Sequence, residues 1–91
     1  MFYAISYDIR DDRRRLQVAR ILKDFGERVQ LSVFEAHLEE TDLERLKQRL
    51  APHLDQEVDS LRFYPLCAAC FPRVEVIGRG MVLQDPDFII I

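Results

Sequence analysis

The sequence predicts an α+β fold with elements in the order β-α-β-β-α-β, an antiparallel sheet carrying both helices on one face, and an extra C-terminal strand. Three observations predict it. A β-prone segment opens the chain and stops at an acidic residue, two later stretches carry apolar residues at helical spacing, and between and after them lie segments that alternate with a period of two.

Phe2 to Ile9 is rich in β-formers and runs into the polar stretch Arg10-Asp11-Asp12, so it reads as a strand entering a loop. From Asp12 to Phe25, Leu16, Ala19 and Leu22, and likewise Val18, Leu22 and Phe25, fall three and four residues apart, with Gly26 as the stop; this is the first helix. Val29, Leu31 and Val33 then alternate, the phase slips by one, and Phe34, Ala36 and Leu38 alternate instead. A one-residue bulge or a very tight hairpin produces such a slip. Thr41-Asp42-Leu43-Glu44 reads as a capping box, with Leu43, Leu46 and Leu50 on one face behind it and Pro52 as the stop. Ser60 to Tyr64 sets Leu61 and Phe63 on one face of a strand and Arg62 and Tyr64 on the other, before Pro65. Arg73 to Ile77 is the extra strand, ahead of Gly78 and Gly80.

With 91 residues the chain is expected to be one domain, small enough that a second copy would add useful burial. Its composition, 48% hydrophobic and 32% charged, excludes disordered and fibrous classes. No basic segment precedes an apolar run at the start, and no stretch approaches a membrane span, which predicts a cytoplasmic protein. A stabilising disulfide between Cys67 and Cys70 is not expected in that compartment. The net charge of −3 argues against non-specific nucleic-acid binding by bulk charge, so any such function needs a local basic surface.

Asp8, at the end of the first strand, can hold a hard cation such as Mg²⁺, which takes oxygen ligands; one carboxylate from each of two subunits would build a site that one chain cannot. A solvated or helix-capping carboxylate is the other reading, and it suits Asp11 and Asp12 better still. Arg10, Arg13, Arg14 and Arg15 crowd the entry to the first helix, with Arg20, Lys23 and Arg28 further along. They are suited to phosphates by the planar guanidinium, or else form a solvated face balanced by the nearby acids. Cys67-Ala68-Ala69-Cys70 has the spacing of half a zinc site or of a redox pair. His37 and His53 are not suitably spaced to complete a zinc site, though a dimer could supply four thiols. A redox pair is expected to open a helix after a strand, whereas this one sits between two predicted strands, so the pair reads as small, partly buried structural thiols.

Four blocks carry a resemblance, in order and at fitting distances: Tyr7-Asp8-Ile9 with Asp11-Asp12-Arg13-Arg14; Arg28-Val29-Gln30 with Ser32-Val33-Phe34-Glu35; Tyr64-Pro65-Leu66-Cys67; and Val74-Glu75-Val76-Ile77-Gly78. From residue 1 to about residue 78 the chain resembles the Cas2 family of CRISPR-associated proteins. The resemblance implies a ferredoxin-like domain over residues 1–78, a homodimer, and a part in acquiring new CRISPR spacers with the integrase Cas1. It also implies Mg²⁺-dependent endonuclease activity on RNA or DNA, in which Asp8 and its symmetry mate hold the metal and are catalytic. Arg15, Arg28, Ser32 and Phe34 fall near that site in the family pattern; with Arg13 and Arg14 they form the expected nucleic-acid-binding set. Leu31 departs from the pattern, where Tyr is common. A non-catalytic adaptor that binds DNA and bridges integrase dimers is the alternative, and a small ligand-binding regulatory domain on the same scaffold is a third.

Residues 79–91 form an apolar tail outside the secure match. Met81, Val82 and Leu83, then Phe88, Ile89, Ile90 and Ile91, would make an aggregation-prone edge unless covered by the second subunit's sheet or by a partner protein.

Overall fold

Alternation along the strands decides which side chains become core. A computed structural model of the chain describes residues 1–78, and its elements are β1 (Phe2–Asp8), α1 (Asp12–Lys23), β2 (Glu27–Gln30), β3 (Val33–His37), α2 (Glu40–Leu50) and β4 (Ser60–Leu66). The four strands form one antiparallel sheet in the order β2-β3-β1-β4, the predicted ferredoxin-like topology. Ile5 and Tyr7 of β1 with Ile9 beyond it, Phe34 and Ala36 of β3, and Leu38 join Val18, Ala19, Ile21 and Leu22 of α1 and Leu46 and Leu50 of α2 in one apolar cluster. Both helices therefore cover one face of the sheet. On the other face lie Phe2, Ala4, Ser6 and Asp8, flanked by Val33, Glu35 and His37 and by Ser60, Arg62 and Tyr64; no described α-helix covers it, and only Phe71 packs there, at the Phe2–His37 end.

The ends of the elements have local causes. Asp11 caps α1, its carboxylate accepting from the Arg14 backbone N–H at 2.9 Å. At the other end the Gly26 N–H donates to the Leu22 carbonyl, and a Cβ on Gly26 would lie 2.2 Å from the Glu35 carbonyl oxygen. Glycine is there because β3 passes too close for any side chain.

The phase slip has both anticipated causes at once. Leu31 and Ser32 make a two-residue hairpin turn between β2 and β3, and the register shifts between Arg28 and Gln30. Pro65 lies within β4 rather than ending it, opposite Tyr3; β4 is an edge strand, where a missing N–H is tolerated.

Four expectations are corrected. Helix α1 stops at Lys23, two residues before Phe25, and Leu16 is 56% exposed, outside the buried stripe. Thr41 does not cap α2: the helix begins at Glu40, and Glu39 at its N-cap makes no side-chain capping bond. Arg73 to Ile77 is not a strand. Phe71–Arg73 is a single 3₁₀ turn and residues 74–77 take no regular form, because a strand needs a neighbour to hydrogen-bond and no described segment pairs with this one. Cys67 and Cys70 are both exposed rather than partly buried, since the turn that carries them projects from the end of β4. The tail from Met81 to Ile91 lies outside the described residues.

Candidate functional site

Asp8 is the last residue of β1, exposed, and in register with Ser60 of β4 on the helix-free face. Its neighbour Tyr7 is buried beneath the helices and stitches this end of the sheet together. The Tyr7 hydroxyl donates to the Leu31 carbonyl at 2.9 Å, and its backbone N–H to the Ser32 carbonyl at 3.0 Å. Asp8 thus stands on a rigid strand end, with the β2–β3 turn fixed on one side and β4 on the other.

The arginines divide into two groups with different chemistry. Arg14 grips Asp59 with both arms of its guanidinium, Nε at 2.8 Å and Nη2 at 3.1 Å, while the Asp55 N–H donates to the same carboxylate at 2.9 Å. That grip holds the Asp59 carboxyl below its ordinary range, chiefly through the Arg14 hydrogen bond, and raises Arg14 in turn. Arg15 donates to the Ile9 carbonyl at 3.0 Å and the Arg10 carbonyl at 3.3 Å and pairs with Asp12, which braces the loop between β1 and α1. Arg15 thus braces the loop beside Asp8 and Arg14 ties α1 to the segment before β4, so both guanidiniums already hold partners. Arg13 is exposed and makes no hydrogen bond or ion pair among the described residues. Arg28, exposed on β2, lies over the Phe34 ring at 5.4 Å and donates to the Tyr7 hydroxyl at 3.4 Å, with both contacts leaving guanidinium edges open.

Ser32 is exposed in the hairpin turn next to Arg28's strand. Phe34 is different: it is 0% exposed in the centre of the core, so as a nucleic-acid contact it is corrected to the apolar support beneath Arg28. Of the expected residues, Asp8, Arg13, Arg28 and Ser32 are therefore the exposed polar ones, but they do not share one face: Asp8 is on the helix-free face, whereas Arg28 is in register with Phe34 on the helix side.

Arg62 was not among the expected site residues. It projects from β4 on the face that carries Asp8, in register with Ser6, and donates to the Tyr64 hydroxyl at 3.4 Å. Alternation had put Arg62 and Tyr64 on one face of the strand; what it lacked was the pairing of β4 with β1, which brings that face beside Asp8. No three His, Cys, Asp or Glu side chains converge to hold a metal among the described residues. One chain contributes a single exposed carboxylate with the Ser6 and Ser60 registers beside it, which suits part of the all-oxygen set a magnesium ion takes and leaves the rest to waters, phosphate and a second copy.

Comparison with known proteins gives the same fold and one family. Residues 1–74 match the family described as CRISPR associated protein Cas2. The chain is 49% identical over 81 residues to the CRISPR-associated endoribonuclease Cas2 1 of Chloroflexus aurantiacus, covering 88% of this chain and 87% of that protein. The crystal structure of Streptococcus pyogenes Cas2 superposes with a TM-score of 0.76 at 35% identity, covering 86% of this chain and all of that one (100%). A chain of a partial Cas6-RT-Cas1–Cas2 complex superposes with a TM-score of 0.70 at 30% identity, over 84% of this chain and 89% of that one.

Proposed function

The chain belongs to the CRISPR-associated Cas2 family, and on that premise we propose that it works in the cytoplasm as a homodimer in CRISPR spacer acquisition with a Cas1 partner, and cleaves phosphodiester bonds of RNA or DNA at paired Asp8 residues. The observation that carries the reading is the position of Asp8: an exposed carboxylate at the rigid end of β1, on a sheet face that no described α-helix covers. Two such faces opposed about a twofold axis bring the two carboxylates to one site. Asp8, its symmetry mate and neighbouring oxygens would hold Mg²⁺. When bound, the ion makes water a better nucleophile and offsets charge that builds on the phosphate. The chain's own residues orient the substrate: Arg13 and Arg28 donate to backbone phosphates and Ser32 offers a hydroxyl, while Arg15 keeps the β1–α1 loop in place and Arg14 ties α1 to the segment before β4. The products are a 5′-phosphate and a 3′-hydroxyl.

A second reading is supported by the similarity to a chain of a complex that also contains Cas1. In it the dimer is a non-catalytic adaptor that binds DNA between integrase subunits, and Asp8 is not catalytic.

One experiment separates the two. Cleavage of RNA and DNA is measured with Mg²⁺ and with chelator, for the wild type and for Asp8→Asn, beside spacer acquisition in cells. The nuclease reading expects chelator to stop cleavage and Asp8→Asn to lower it by about a hundredfold or more, with nucleic-acid binding retained. Chelator-resistant cleavage, or a variant as active as the wild type, removes Asp8 and the metal from the reaction. Acquisition that persists in the inactive variant assigns the protein's part in it to the adaptor.

A further inference from the structure

Cys67 and Cys70 take no part in the site described above, and their surroundings do not fit buried structural thiols. Both are exposed. The chain between them is a tight turn, with the Cys70 N–H donating to the Cys67 carbonyl at 3.0 Å and the Phe71 N–H to the same oxygen at 2.9 Å. A hydrogen-bonded turn of four residues keeps its end Cα atoms within about 7 Å, inside the range a disulfide spans. The turn is also pinned at both ends to one residue. Leu66 pairs with Phe2 in the sheet, and Phe71, 7% exposed, packs on the Phe2 ring at 4.6 Å and on the His37 ring at 5.0 Å. The two thiols are thus held close by a framework that does not need them.

The pair is chemically unequal. The Cys67 thiol is lowered from its ordinary range, first by the nearby Cys70 N–H and then by the Cys70 thiol and the Ala69 N–H. Its partner Cys70 is raised by the same thiol–thiol contact. One sulfur is suited to attack and the other to follow.

We propose that Cys67 and Cys70 form a thiol–disulfide exchange site that reacts with small disulfides, Cys67 attacking and Cys70 resolving. The Cys67 thiolate forms a bond to one sulfur of glutathione disulfide; the sulfur–sulfur bond breaks, and the departing glutathione thiolate takes up the proton that Cys67 released. Cys70, as it loses its proton, attacks the Cys67 sulfur, forms the Cys67–Cys70 disulfide and expels the second glutathione as a thiol. Two protein thiols are oxidised and one glutathione disulfide is reduced to two thiols. Reversal needs a reducing thiol, so the bond suits a transient state rather than a structural one.

The test uses the reduced full-length chain with glutathione disulfide, acid quenching, alkylation of free thiols and intact mass. The wild type is expected to lose both thiols without a lasting adduct, within one chain, and to recover them with dithiothreitol. Cys70→Ser is expected to accumulate a single glutathione on Cys67, and Cys67→Ser to react about tenfold more slowly. Both positions are exposed, and circular dichroism checks that each variant is folded. A wild type that stops at a stable glutathione adduct overturns the proposal, as do two single variants that react at equal rates. Uptake of one zinc ion by two chains, protecting all four thiols, also overturns it, in favour of a thiolate metal site shared by a dimer.

Discussion

At the scale of single residues, a basic cluster read as one surface divides according to what each guanidinium already holds. Arg13 is unpaired among the described residues, whereas Arg14 is committed to Asp59, 45 positions away in the chain. Arg13→Ala is expected to weaken nucleic-acid binding equally across sequences and to lower the slope of log affinity against log salt by about one, as titration of affinity against salt would record. Arg14→Ala is expected to act on folding instead, lowering the melting temperature at neutral pH. Because Asp59 is depressed in the folded state, the stability it contributes is fully present above the ordinary carboxylate value of 3.8 and disappears as pH falls through the depressed one, so the two proteins converge in acid. Periodicity and charge counting could not separate these arginines, since the partner of Arg14 is visible only once β4 is laid beside β1. Phe34 was expected at the binding site from the resemblance alone; its alternation with Ala36 and Leu38 is the signal that would have placed it in the core, where the structure has it. Glu35, on the helix-free face, has its carboxyl raised above the ordinary 4.5, first by burial and then by Glu27. A raised acid penalises the folded state while it is ionised. Glu35→Gln is therefore expected to raise the melting temperature at neutral pH, with the gain fading as pH falls through the raised value toward 4.5, where the wild-type side chain is itself protonated.

At the scale of elements, the parts with strong local signals were readable, and those that depend on a neighbour were not. The cap on α1 and its glycine stop both lie in the sequence, and alternation marked β2 and β3 together with the slip between them. The start of α2 was misread because Thr41 and Glu44 have the spacing of a capping box but both sit inside a helix that begins at Glu40. Residues 73–77 have the composition of a strand, yet strand formation is decided by a free edge opposite them, which composition does not describe. Gly26 gives the sharpest test at this scale. It was expected to stop the first helix, and it also provides the space for β3 to pass, with any Cβ 2.7 Å from that of Ala36 as well as close to the Glu35 carbonyl. Both neighbours are fixed in the sheet and core. Gly26→Ala is expected to destabilise the fold by about 1–3 kcal/mol, the range for overpacking a well-filled site, read as a lower denaturation midpoint with an unchanged slope.

At the scale of the whole molecule, among the described residues the two α-helices cover one side of the sheet and the Phe71 turn packs on the other only at its Phe2–His37 end, which ties the position of Asp8, at the opposite end of β1, to assembly. A second copy would add burial that so small a chain otherwise lacks, and the face away from the helices carries Ala4 and Ser6 at its centre, with Val33 on one side and Tyr64 on the other. The proposed dimer closes this face against a second copy of itself, and it does so with small side chains along β1, which lets two sheets approach. Ala4 is opposite Glu35 on β3 and Tyr64 on β4, so a long charged side chain there would stand in the middle of the contact while touching no helix-side core residue. Ala4→Arg is expected to leave the far-ultraviolet circular dichroism of the fold in place and to shift the protein from dimer to monomer by light scattering. Cleavage should fall with it, because each chain then holds one Asp8 without its mate. A variant that is monomeric and still cleaves at the wild-type rate would detach the chemistry from the dimer. One that remains dimeric would put the contact elsewhere, and deletion of residues 88–91 would then report whether the apolar tail, rather than the sheet face, holds the two copies together.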